Sequence, residues 1–136
     1  MSKFSTWVTG ARVRTLPLAI APVYLGSAVA FTLDRFDPVL ALLALVVSLF
    51  LQIGVNYAND YSDGIRGTDD DRVGPKRITA AGLARPDAVK RAAFITFGIA
   101  MAAGLVIVVI TSQWWLLGIG ALAVLAAWFY TGGKSP

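Results

Sequence analysis

Hydrophobic positions fall into four long runs separated by two short polar turns and one long polar stretch. Leu16 to Leu33, Pro38 to Tyr57, Ala92 to Thr111 and Trp114 to Tyr130 carry no charged side chain. A bilayer crossing takes about 20 apolar residues, so the runs at 16–33, 38–57, 92–111 and 114–130 are expected to be transmembrane helices. Pro17 suits the opening turn of the first, Pro22 is expected to kink it, and Pro38 opens the second. Asp34-Arg35-Phe36-Asp37 and Ser112-Gln113 read as tight turns, and Trp114 and Trp115 as an interfacial belt. In the third run Gly98/Ala102 and Ala100/Gly104 are small residues four apart, which suits close helix packing. Residues 58–91 read as a long polar loop, and loops of that length in compact proteins are commonly functional. Residues 1–15 read as a cytoplasmic interfacial segment, with Phe4 and Trp7 at amphipathic spacing among Lys3, Arg12 and Arg14. The expected fold is all-α, a polytopic transmembrane helix bundle over residues 16–136.

Composition sharpens this picture. Of 136 residues 57% are hydrophobic and 15% charged, more apolar surface than a soluble domain of this size needs. Basic residues before the first run, and Ala28-Val29-Ala30 within it, have the look of a cleaved leader, but Pro17, Pro22 and the length of the run weigh against one. The chain has neither cysteine nor histidine. Disulfides, thiolate sites, zinc centres and an imidazole base are thereby excluded, and any metal must be a hard, oxygen-bound ion such as Mg2+. The net charge is +4, which would ordinarily invite a nucleic-acid reading. With both termini and the long loop on one side, however, that side holds every one of the twelve Lys and Arg except Arg35. The positive-inside rule makes it the cytoplasmic side of the cell membrane and accounts for the basic balance without nucleic acid.

The chemistry concentrates in Asn56-Tyr57-Ala58-Asn59-Asp60-Tyr61-Ser62-Asp63-Gly64. If the second helix continues through it, Asn56, Asn59, Asp60 and Asp63 share one face. Carboxylates at a helix C-terminus, close to a membrane, call for a compensating cation or several basic side chains. The loop supplies both signs of charge, with Asp69 among its acids and Arg72, Lys76 and Arg77 among its bases. Such a set suits a magnesium–phosphate ligand whose polar head sits at the aspartates and whose apolar tail lies between helices. The plainer alternative is a solvated acidic–basic loop. Arg12 or Arg14 is placed to reach a phosphate, alongside an interfacial role.

Asn59-Asp60-Tyr61-Ser62-Asp63, followed by Gly67-Thr68-Asp69, resembles the first aspartate-rich motif of the UbiA superfamily of intramembrane prenyltransferases. Arg14-Thr15-Leu16-Pro17, Gly74-Pro75-Lys76-Arg77 through Gly82, and Tyr130-Thr131-Gly132-Gly133 resemble its menaquinone branch. The resemblance implies a magnesium-dependent bundle of about nine helices that joins polyprenyl diphosphate to 1,4-dihydroxy-2-naphthoate within the lipid bilayer. It implies metal ligation by Asn59, Asp60, Asp63 and Asp69, catalytic roles for Asp60, Asp63, Lys76 and Arg77, and substrate contacts from Asn56, Asn59, Arg14, Arg72 and Tyr61. For the bases, anchoring of the third helix by the positive-inside rule is the alternative reading. Gly67 stands where the family usually has a further Asp, which leaves the third ligand between Asp69 and its neighbours. No Asp or Glu follows Asp87, whereas the family carries a second aspartate-rich motif later in its sequence. The expectation is therefore an N-terminal part of a longer enzyme, inactive alone. Two other readings compete. Asp60-x-x-Asp63-Gly64 also begins the CDP-alcohol phosphotransferase signature, but Gly67-Thr68 replaces its Ala-Arg and the spaced aspartates are missing. A non-enzymatic membrane subunit would use loop 58–91 to dock a partner.

Overall fold

In a computed structural model the chain is described over residues 2–66 and 77–130. Every regular element among the described residues is helical: α1 (Lys3–Ala11), a 3-10 turn (Val13–Thr15), α2 (Pro17–Thr32), α3 (Pro38–Arg66), α4 (Pro86–Thr111) and α5 (Leu116–Phe129). Local chemistry sets the ends. Ser2 caps α1 by accepting from the Ser5 amide at 3.1 Å. Asp37 Oδ1 accepts from the Val39 and Leu40 amides at the head of α3, with Pro38 at its first position. The turn before it is closed by Arg35 N donating to the Ala30 carbonyl at 2.8 Å, with Asp34 in the left-handed conformation. Pro86 starts α4, and Asp87 lies in its first turn, where a carboxylate complements the helix dipole.

Two expected boundaries move, for a common reason. Residues 58–66, expected as loop, continue α3, because Tyr57, Ala58 and Tyr61 extend its packed side. The third helix, expected at 92–111, begins at Pro86, because Val89 and Ala93 already belong to its buried stripe. Both helices outrun the ~20 residues that a bilayer needs: α3 has 29 and α4 has 26. Their polar turns, Ala58–Arg66 and Pro86–Arg91, lie at one end of the pair.

α3 and α4 form the principal contact of the bundle. Val89, Ala93, Phe97, Ala100, Ala103 and Val108 make the buried stripe of α4 at helical spacing. Of the two small-residue pairs, Ala100/Gly104 lies towards α3, with Val47 nearest to Gly104, whereas Gly98 and Ala102 are exposed. At the centre the Phe97 ring rests on Gly54, where an added Cβ would stand 2.6 Å from Phe97 Cε1. Gly54→Ala is therefore expected to lower the unfolding midpoint in detergent. Overpacking costs about 1–3 kcal/mol and outweighs the gain of up to ~1 kcal/mol in helix propensity. An unchanged or raised midpoint would refute this close packing.

α3 and α4 are long and apolar enough to cross a membrane, and α1 with α2 make a third candidate if the pair, bent by 50°, is one span. α5 is apolar and 14 residues long, so among the described residues two or three of the four expected spans meet this measure. The apolar helices make the chain a membrane protein. Leu25, Phe31, Leu42, Ile95, Val109 and Leu122 are exposed, an apolar surface of the kind that a bilayer tolerates.

Candidate functional site

The polar end of α3 packs against α1, the segment 77–84 and the start of α4 in one cluster. Helical geometry through Arg66 puts Asn56, Asn59, Asp60 and Asp63 on one face, as their spacing requires. That face is not uniform. Asn56 and Asp60 are 2% and 1% exposed, whereas Asn59 and Asp63 are half-buried.

Asp60 is committed on both oxygens. Oδ2 accepts from the Ile78 amide and Oδ1 from the Thr79 amide, each at 2.8 Å. These two amides begin a single helical turn, in which Ala81 N donates to the Arg77 carbonyl and Leu83 N to the Ile78 carbonyl. Gly82, in the left-handed conformation, ends it. Asp60 thus caps, from 18 residues away, amides that the turn itself cannot satisfy. Ile78, fully buried between α1 and α3, anchors the same turn in the core.

Asn56, one turn earlier on the same face, binds a different segment. Its Nδ2 donates to the Ala11 carbonyl at 2.8 Å and to Thr15 Oγ1 at 3.0 Å, and Thr15 Oγ1 donates to the Arg12 carbonyl at 2.8 Å. Tyr57 adds a bond from its hydroxyl to the Trp7 carbonyl at 2.8 Å and an edge-on contact with the Trp7 ring. α1 comes this close because of Gly10, where a Cβ would lie 2.8 Å from both Ile78 and the Tyr57 ring. Residues 3–11 are consequently seated on α3 along one side and expose Phe4 and Val8 on the other.

Tyr61 lies beneath Lys90, whose Nζ is 5.7 Å from the ring centroid, and stacks on Trp128, which also stacks on Phe94 at 4.8 Å. This aromatic column joins α3, α4 and α5. Its members from α4 and α5 were not foreseen from the sequence, although a tryptophan in the last turns of an apolar helix is a signal that could have marked it. Arg14 is exposed in the 3-10 turn, Arg12 is half-buried at the corner before it, and Arg77 is half-buried at the start of the capped turn. Arg85 and Arg91 pair with Asp87 at 3.2 and 3.1 Å on the surface. Asp69, Arg72 and Lys76 lie outside the described residues.

Among the described residues no three of His, Cys, Asp and Glu come together as a metal cage. The donors that α3 does present are all oxygens, two carboxylates and an amide. They suit a hard cation such as Mg2+, which takes one or two carboxylates and completes its shell with phosphate and water. Asp60 keeps lone pairs beyond the two that its amides use. The donor chemistry therefore fits magnesium.

The chain matches the UbiA prenyltransferase family over residues 19–135. It is 52% identical over 136 residues to a 1,4-dihydroxy-2-naphthoate octaprenyltransferase of Mycobacterium tuberculosis, covering 100% of this chain and 46% of that protein. Proteins of the same name from Mycobacterium leprae and Escherichia coli are 48% and 38% identical, again covering 100% of this chain and 46% of each relative. The chain thus spans slightly less than half the length of these curated relatives. No solved structure matches it.

Proposed function

Because the chain belongs to the UbiA prenyltransferase family, we propose that it supplies the diphosphate-binding end of an enzyme that prenylates 1,4-dihydroxy-2-naphthoate. The donor is polyprenyl diphosphate and the immediate product the reduced, quinol form of demethylmenaquinone, in menaquinone biosynthesis. The observation that carries this reading is the continuous helix through Arg66, with Asn59 and Asp63 one turn apart and half-buried. The names of the relatives supply the substrates.

Asn59 and Asp63, with the remaining lone pairs of Asp60 and a contribution from Asp69, hold Mg2+ in this reading. Bound there, the ion neutralises diphosphate charge and makes it a better leaving group. The carbon–oxygen bond of the allylic diphosphate breaks with its electron pair leaving on oxygen. The electron-rich naphthoate ring forms the new carbon–carbon bond, and carbon dioxide is lost. Lys76 and Arg77 steady the departing diphosphate, and Arg72 is a weaker candidate for the same role. Tyr61, held between Lys90 and Trp128, walls the site on the α4–α5 side. A cytoplasmic position for this end, in the plasma membrane, belongs to the same reading and is supported by the distribution of Lys and Arg.

The chain reconstituted in lipid bilayers with radiolabelled farnesyl diphosphate is expected to bind it in a magnesium-dependent way. With the naphthoate added it should form no prenylated product, because every acidic residue precedes the body of α4 and a second carboxylate cluster is missing from its sequence. Binding that ignores magnesium would remove the site assignment. Product formation would show instead that these helices suffice for transfer.

A further inference from the structure

Arg12 has φ 53 and ψ 65, the left-handed region that an arginine enters only at a cost. It stands at the corner where α1 ends and the bent α1–α2 pair turns. A conformation of this kind persists where its surroundings over-determine it. Beside the backbone bonds from Arg12 N to the Thr9 carbonyl and from Thr15 N to the Arg12 carbonyl, two side chains brace it: Asn56 donates to the Ala11 carbonyl before the corner and to the Thr15 hydroxyl after it, and that hydroxyl donates to the Arg12 carbonyl. Asn56 is 2% exposed and its amide nitrogen is engaged twice, so it is built to grip the backbone rather than to meet a ligand. It stands one turn before Asp60 on α3, so the corner and the acidic face are referenced to the same helix.

We propose that Asn56 is a positioning residue, which locks the left-handed Arg12 corner and thereby sets Arg12 beside the acidic face for a diphosphate-bearing ligand. The role for Arg12 rests on the prenyl diphosphate reading above; the lock itself does not. Asn56 acts through the corner and touches no substrate atom. The chain has no cysteine, so labels can be introduced without background.

Two spin labels, one at Phe4→Cys on α1 and one at Leu25→Cys on α2, both at exposed positions, report the bend in bilayers. The parent should give one narrow distance distribution. Asn56→Ala should broaden or shift it, and Thr15→Val, which spares the bond to Ala11, should do so less. In parallel, magnesium-dependent farnesyl diphosphate binding should weaken about tenfold for Asn56→Ala and for Arg12→Ala. The double variant should be no weaker than Arg12→Ala alone, since one residue works through the other. An unchanged distance in Asn56→Ala overturns the lock. Additive losses in the double variant overturn its action through Arg12. If the parent binds no farnesyl diphosphate, the prenyl diphosphate reading fails and takes the role of Arg12 with it, while the distances still decide the lock.

Discussion

Asp60→Ala is expected to release the turn at residues 77–84 even when no magnesium or diphosphate is present. The carboxylate is 1% exposed and accepts two backbone amides at 2.8 Å. Hydrogen bonds to a charged group contribute about 1.5–3 kcal/mol each, and an orphaned buried donor costs a comparable amount. The loss should therefore be of the order of 3–5 kcal/mol, felt at the segment that Asp60 holds. Amide exchange at Ile78 and Thr79 should rise by about two orders of magnitude or more, while that at the centre of α4 changes little. Asp60→Asn should rescue poorly. Its single acceptor oxygen can serve one amide, and its NH2 group would then face the other. Protection at residues 78 and 79 that survives Asp60→Ala would mean that the turn is held by its own contacts, chiefly buried Ile78, and that the carboxylate is available for a ligand.

This separation of roles marks the limit of what the sequence makes legible. The spacing of Asn56, Asn59, Asp60 and Asp63 is enough to put them on one face, because a helical period of 3.6 admits no other arrangement. It does not tell which of the four is buried. The partners of Asp60 are backbone amides 18 and 19 residues later, and those of Asn56 include a backbone carbonyl 45 residues earlier. Main-chain groups carry no sequence signature, so these contacts are not legible in the sequence. The helix ends were set too short for a related reason. Charges at Asp60, Asp63, Lys90 and Arg91 interrupt the apolar runs and invite a loop. Yet Tyr57, Tyr61, Val89 and Ala93 continue the packed stripes straight through them. Apolar content marked where a helix meets lipid. Periodicity, followed past the first charges, would have given its full length.

The contrast with Asp63 supplies the sharper functional test. Asp63 lies on the same face of α3 but is half-buried. Asp63→Ala removes its carboxylate and leaves the two bonds from Asp60 to the Ile78 and Thr79 amides in place. Magnesium-dependent binding of farnesyl diphosphate should fall by at least about 10- to 100-fold, the loss that disturbing even an outer partner of a bound ion brings. Magnesium with the diphosphate should stabilise the parent in proportion to its occupancy and leave Asp63→Ala unmoved. If Asp63→Ala instead leaves that binding and that stabilisation unchanged, Asp63 does not hold the ion. The magnesium–diphosphate site must then be sought among other residues.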